Sequence, residues 1–176
     1  ISSAFLQGKK RDIDTKGRLF LRPPKRPLEG VDSNDLLEVI KSVYGLPDAP
    51  RAWWEEVTGF LRKLGCQHTR MDVAFMLHYH QDGSLGLMII LHVDDMMLAS
   101  DGTKATEKIV DAIRKHYPFG EWVDVKDQPK SVAYTGRTIK VSGPDVLVGQ
   151  EDFVKGRMES FSAKRTKGRD DKDPCT

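Results

Sequence analysis

Apolar positions along the chain recur with two periods, and the alternation between them outlines the elements. From Asp48 onward the spacing of Ala49, Trp53, Val57, Phe60 or Leu61, and Leu64 predicts a helix over 48–64. Asp48 stands where an N-cap belongs, Pro50 falls in the first turn and Gly65 supplies the stop. A second helix is predicted from Thr103, with Ala105, Ile109, Ala112 or Ile113, and His116 or Tyr117 along one face. Between the helices, 73–80 and 85–93 read as strands joined at "QDGS", a hairpin signal, and 96–99 as another short strand. Upstream, "RLFLRPP" (18–24) reads as a strand stopped by two prolines, and "LLEVIKSVYGL" (36–46) is strand-like through its Val, Ile and Tyr. Downstream, "SVAYTGRTIKV" and "DVLVG" read as strands around the turn "SGP", followed by a short helix over 151–161 that Gly156 weakens. Helices mixed with mostly antiparallel strands predict an α+β domain, a sheet packed on helices. Residues 162–176 carry charge without apolar periodicity and are expected to form a disordered tail.

One stretch sits awkwardly in this pattern. In "LHVDDMMLAS" (91–100), Asp94 and Asp95 interrupt one of the most apolar runs of the chain. Leu87, Ile89, Ile90, Leu91 and Val93 precede the pair, and Met96, Met97 and Leu98 follow it. An ionised carboxylate in apolar surroundings is costly unless something compensates it. The pair is expected at the turn between two apolar strands. Aspartate is common in turns for its own hydrogen bonding, so a plain turn is one reading. The other is that a rigid hairpin holds carboxylate oxygens for hard cations such as Mg²⁺, as phosphoryl transfer requires.

Composition narrows the classes. The 176 residues, 39% hydrophobic and 31% charged, are enough for a real core. No apolar run approaches the ~20 residues that span a bilayer, so no membrane association is expected. The first residue is Ile1, inside an apolar stretch without a signal-peptide pattern, and the chain is expected to be cut from something longer. Cys66 and Cys175 are far apart and form no C-x-x-C pair, which fits a reducing, intracellular compartment. Net charge is +2, yet residues 1–30 hold eight basic and three acidic side chains, a local +5 that suits either a phosphate backbone or a solvated surface. Cys66, His68, His78 and His80 do not have the spacing of a structural zinc site, and an ordinary strand surface is the better reading. Trp53 belongs to the apolar stripe and is expected in the core, whereas Trp54 is free for another task. No G-x-x-x-x-G-K-[ST] phosphate loop occurs.

Three motifs in order carry a family resemblance. "AFLQG" (4–8), "KSVYGLPDAPRAWW" (41–54) and "LHVDDMMLA" (91–99) together resemble the reverse transcriptase of copia-type LTR retrotransposons. "LRKLGCQHTRMDVAFMLHYHQDG" (61–83) resembles the stretch between the last two, and "YTGRTIKV…LVGQEDFV" the segment after the active site, so the likeness covers residues 1 to about 161. It implies a reverse-transcriptase palm with partial fingers over 1–161. "HVDD" matches the family's Tyr-x-Asp-Asp turn, with His92 in the tyrosine position, and assigns Asp94 and Asp95 to catalysis and to metal binding by Mg²⁺ or Mn²⁺. Phe5 matches the aromatic position that excludes a ribonucleotide 2′-hydroxyl, and Tyr44, Gly45 and Asp48 fall in the template and nucleotide pocket. Lys9, Lys10 and Arg11 in the basic segment, together with His92, are expected at the nucleic acid. The partners implied are an RNA template, a DNA primer and deoxynucleotides, in a cytoplasmic particle or the nucleus.

The departures from the family pattern bear on activity. The family's Asp-x-x-x-Ala-Phe-Leu motif supplies a further metal-binding aspartate, which aligns immediately before Ile1. Asp48 replaces a glutamine in Leu-x-Gln-Ala, and Lys9 stands where the family often has an acidic residue. No thumb or ribonuclease H segment is evident. The aspartate before Ile1 and Asp48 favour a second reading, a catalytically inactive nucleic-acid-binding relic or domesticated domain, and a third is an unrelated α+β interaction domain in which Val-Asp-Asp is only a turn.

Overall fold

The computed structural model describes residues 1–8, 10–11, 13–26, 28–128 and 131–157, in two units divided between Trp122 and Val123. The first unit begins with two single-turn helices, α1 (Ala4–Gln7) and α2 (Ile13–Lys16), and a small antiparallel ribbon of β1 (Phe20–Leu21) and β2 (Leu37–Glu38). The strands expected over 18–24 and 36–46 therefore shrink to two residues each, with an isolated bridge from Lys10 to Lys41 beside them. Pro23 and Pro24 cannot donate to a ladder, and among the described residues no third strand extends the ribbon.

Helix α3 (Ala49–Lys63) follows the predicted stripe. Ala49, Trp53, Val57 and Leu61 are buried, while Phe60 and Leu64 pack against the core from its margin. Its C-terminus is closed by a Schellman motif. Gly65, at φ +86, donates to the Arg62 carbonyl, and the Cys66 N–H reaches back to the Leu61 carbonyl. Its N-terminus differs from expectation. The Asp48 side chain makes no capping hydrogen bond there, because its carboxylate is drawn to Arg11.

A four-stranded antiparallel sheet packs on this helix, in the order β3 (Gln67–His68), β4 (Phe75–Tyr79), β5 (Leu85–His92), β6 (Asp95–Ser100). The short β3 carries no strand signal of its own and forms only because β4 offers it an edge. In β5, Leu87 and Ile89 are buried at alternate positions with Met76 opposite Ile89, the period-two pattern of a strand whose one face meets the core. Helix α4 (Lys104–His116) closes the layer. Thr103 caps it by accepting from the Thr106 N–H. Thr106 and Ile113 are its buried residues, with Ile109 and Val110 packed beside them, and Ala105 is exposed, which shifts the predicted face by one position. Tyr117, the residue after the helix, is buried edge-on against Trp53 and Phe60, and His116 stacks on Phe60 at 3.8 Å.

In the second unit, "SVAYTGRTIKV" folds as a hairpin rather than one strand. β7 (Val132–Tyr134) pairs with β8 (Arg137–Ser142) across Thr135 and Gly136, both at positive φ, the signature of a tight two-residue turn. β8 then pairs with β9 (Asp145–Gly149) across Gly143–Pro144, close to the predicted "SGP" turn. Ile139 is buried in this sheet, and α5 (Glu151–Arg157) follows it. The rest of the helix expected to 161, and the 162–176 tail, lie outside the described residues.

Two close approaches hold the first sheet to α4. The Asp101 carboxylate accepts from the Thr103 N–H, from Thr106 Oγ1 and, at 2.7 Å, from His80 Nε2. Gly86 lies under this cluster, and a Cβ there would stand 2.7 Å from His80 Nε2 and 2.8 Å from Thr106 Cγ2. Gly86→Ala is therefore expected to displace His80 and to cost about 1–3 kcal/mol, read by urea unfolding. The Thr103 N–H, followed by His80 and Thr106, holds the Asp101 carboxyl far below the usual carboxylate range. A depressed folded-state pKa stabilises above the unfolded value near ~4, and that contribution is lost as pH falls through the folded value. Asp101→Asn is thus expected to be less stable than the parent at pH 7, with the gap narrowing as unfolding is repeated at decreasing pH below about 4.

Candidate active site

The carboxylate pair sits at the tip of the β5–β6 hairpin. His92 pairs with Asp95 in the ladder, which leaves Val93 and Asp94 as a two-residue turn and makes Asp95 the first residue of β6. Both aspartates are exposed, so the desolvation anticipated from the apolar flanks is not incurred. The neighbours Leu91, Met96 and Leu98 are the ones half-buried against the core, and the turn projects beyond them. Among the described residues neither carboxylate takes a hydrogen bond or an ion pair.

The turn is strained. Val93 has φ +55, a left-handed conformation in which a β-branched side chain is a true outlier, at a cost of about 1–3 kcal/mol. Two contacts hold its backbone. The buried Trp53 of α3 donates its indole Nε1–H to the Val93 carbonyl at 2.6 Å, and the nitrogen of Ile1 donates to the Asp94 carbonyl. The N-terminal segment and α3 thereby converge on the two residues that precede Asp95.

A second group of the candidate residues gathers around α1 and the N-terminus of α3. Phe5, half-buried in α1, has its ring 4.7 Å from that of Tyr44, which is exposed. Gly45, beside it, adopts φ +92. Arg11 Nη1 lies 3.2 and 3.4 Å from the two Asp48 carboxylate oxygens, with the guanidinium side chain only 10% exposed. The Arg11 amide also donates to the Ile40 carbonyl, which seats it beside β2. Lys10 is exposed, and Lys9 lies outside the described residues. His92 is exposed opposite Asp95. The link between the groups runs through the N-terminal segment, from Ile1 at the aspartate turn to Phe5 beside Tyr44.

The sequence reading did not anticipate the indole contact, the Ile1 contact or the Arg11–Asp48 pair. The signal for the first was present: a buried tryptophan requires an acceptor for its N–H, which a phenylalanine would not. The Cys/His cluster has other employment. Burial pushes the Cys66 thiol up to about 11, so it stays protonated at neutral pH. His68 contacts the Val73 carbonyl through Nδ1 and Arg62 through Nε2, and stacks on Trp54, which gives that ring a structural partner. Among the described residues, no group of three or more His, Cys, Asp or Glu is gathered for a metal ion. Two carboxylates nevertheless suit Mg²⁺, which keeps several waters and takes one or two carboxylates together with substrate phosphates.

Asp48→Ala is expected to leave the mostly covered Arg11 guanidinium without this acceptor and to cost about 2 kcal/mol, measured by chemical denaturation.

Comparison with known proteins adds a family likeness. A family model described as reverse transcriptase (RNA-dependent DNA polymerase) matches residues 1–166. A retrovirus-related Pol polyprotein from transposon RE2 of Arabidopsis thaliana is 25% identical over 125 residues, 71% of this chain and 8% of that protein. The truncated transposon Ty1-A Gag-Pol polyprotein of Saccharomyces cerevisiae is 31% identical over 118 residues, 66% of this chain and 9% of its own length. The transposon Ty1-DR5 Gag-Pol polyprotein of the same yeast is also 31% identical over 118 residues, again 66% of this chain but 6% of that protein. The chain thus spans less than a tenth of the length of these relatives. No solved structure matches.

Proposed function

This chain belongs to the copia-type reverse transcriptase (RNA-dependent DNA polymerase) family, and we propose that residues 1–161 serve as the palm and part of the fingers of such a polymerase. The observation that carries the reading is the pair of exposed, adjacent carboxylates at the tip of a hairpin whose backbone is tied to α3 and to Ile1. In this reading the sheet β3–β6 is the palm, and the β1–β2 ribbon with its basic flanks belongs to the fingers.

The intact enzyme would extend a DNA primer on an RNA template by adding deoxynucleotides. Asp94 and Asp95 would supply carboxylate oxygens to divalent cations, Mg²⁺ or Mn²⁺, which lower the pKa of an attacking hydroxyl and stabilise charge on the leaving oxygen. Exposure suits that work, since both oxygens of each carboxylate remain open to a hydrated cation. The aspartate that the family pattern places before Ile1 would lie beside this pair, because the Ile1 nitrogen abuts the Asp94 carbonyl. Phe5, braced by Tyr44, would screen the sugar at its 2′-position. Gly45 and Asp48 would border the nucleotide, while Lys10, Arg11 and His92 would approach phosphates. We assign the protein to an intracellular particle or the nucleus, and no helix of the described residues is long and apolar enough to cross a membrane.

The Arg11–Asp48 ion pair favours a second reading, in which the domain binds nucleic acid without catalysis. With Asp48 held on it, Arg11 is withdrawn from a nucleotide's phosphates, while the exposed Lys10, Arg22, Lys25 and Arg26 remain available to a nucleic-acid backbone. Primer extension on an RNA template by a polymerase carrying this segment separates the two. The first reading expects synthesis that requires a divalent cation and falls about 10²-fold or more in Asp94→Asn. Absence of synthesis by the parent, with nucleic-acid binding retained, would establish the second.

Either reading expects binding to an RNA–DNA duplex that weakens steeply as salt is raised, owing to the +5 balance of residues 1–30. Titrations at several salt concentrations check this, and a flat response would exclude a phosphate-dominated contact.

A further inference from the structure

We infer that Trp53 is a positioning residue for the carboxylate pair, holding the Asp94–Asp95 turn in its strained geometry through the hydrogen bond from its indole N–H to the Val93 carbonyl. For its catalytic consequence this rests on the reading of Asp94 and Asp95 as metal ligands. Three features converge on the assignment. Val93 is one of three non-glycine residues at positive φ among the described residues, and the three others of its turn are ordinary L residues with no glycine to absorb the twist. Such a conformation persists only where the surroundings over-determine it. The donor that reaches it comes from the buried core of the unit: Trp53 is 3% exposed, lies within α3 and packs edge-on against Tyr117.

The chemistry asks for this kind of support. Two adjacent carboxylates repel each other, and while the ladder fixes Asp95 opposite His92, Asp94 stands in the exposed turn outside the ladder. The carbonyl bound by the indole belongs to the residue immediately before Asp94. Its orientation sets the plane of the Val93–Asp94 peptide, and through it the direction from which Asp94 leaves the turn. Phenylalanine would fill most of the same core volume but could not hold that carbonyl. The specific content of the inference is therefore the N–H and not the bulk of the ring.

The test uses the chain itself with two independent readouts. The first is amide hydrogen exchange. In the parent, the Trp53 indole N–H is expected to exchange slowly, because it is buried and donates to the Val93 carbonyl; exchange at the rate of a solvated indole would overturn the inference without any variant. In Trp53→Phe, the amides of residues 93–96 are expected to exchange about fivefold faster, the worth of one neutral hydrogen bond, while the Met76 and Ile89 amides keep their rates. Acceleration of all these amides together, or none at the turn, would reduce Trp53 to a core residue. In a Val93→Gly background, where positive φ needs no support, the effect of Trp53→Phe on the turn is expected to shrink; an undiminished effect counts against the proposal. The second readout is Mn²⁺ binding by electron paramagnetic resonance, for the parent, Trp53→Phe and Asp94→Asn. Binding lost in Asp94→Asn and weakened about fivefold in Trp53→Phe supports both levels of the argument. Binding lost in Asp94→Asn but unchanged in Trp53→Phe overturns the positioning role and leaves the metal reading standing. Binding indifferent to Asp94→Asn overturns the metal reading, and exchange at the turn alone then decides the role of Trp53.

Discussion

The register of β5 is the constraint on which the rest of the first unit depends. Its inward residues Leu87 and Ile89 meet Met76 of β4 and the buried faces of α3 and α4, so a slip of one position would turn them outward and bring Met88 and Ile90 in their place. Once that register is set, the ladder to β6 runs without interruption from Leu87–Ser100 to His92–Asp95. The chain then has only Val93 and Asp94 with which to reverse direction. The position of the carboxylate pair is thus a consequence of core packing several residues away, transmitted along a rigid strand.

This arrangement places strain and charge where the core can tolerate them. The left-handed Val93 costs free energy locally, and the buried α3–sheet interface supplies both the stabilisation and the indole donor that offset it. The two carboxylates, by contrast, cost little in desolvation, because the hairpin carries them past the apolar side chains into solvent. An apolar flank in the sequence did not mean an apolar environment. It meant a strand long enough to lift its tip clear of the core. At the opposite end of the same strands, the Asp101 carboxylate is met by backbone and side-chain donors from Thr103, Thr106 and His80. Identical side chains at the two ends meet opposite surroundings: one aspartate is saturated with donors and locks β6 to α4, and the other two are exposed at the hairpin tip.

The segment before α3 follows a different logic. It buries little, its ribbon is two residues wide, and it is located by particular polar contacts: Arg11 to Asp48, Lys10 across from Lys41, Arg18 to Glu38. The replacement of the family's glutamine by Asp48 has its structural counterpart in Arg11. A carboxylate, not an amide, is matched to a guanidinium with two N–H···O contacts. A residue that departs from the family pattern is, in this chain, the anchor of the basic segment on α3.

Much of this was legible in the sequence. The 3.6-residue stripe of α3, its stop at Gly65, the helix start at Thr103, the "QDGS" hairpin and the Asp-Asp turn between two apolar strands are local signals, and local signals survive because each depends on a few neighbouring residues. The motif order that resembles copia-type reverse transcriptases is likewise written in the chain, and the family model bears it out. What the sequence could not determine were choices between competing partners. Asp48 has the chemistry to cap α3 or to pair with Arg11, and 37 residues of separation hide the second option until the chain has folded. Residues 36–46 have the side chains of a strand but form a ladder only over Leu37–Glu38, with one isolated bridge at Lys41, because strand length is decided by the neighbour available and not by propensity. The left-handed Val93, the indole that reaches its carbonyl 40 residues away and the exposure of the carboxylates arise from one physical cause: the direction of a side chain in space is set by the register and packing of elements distant in sequence, and only the tertiary structure specifies these.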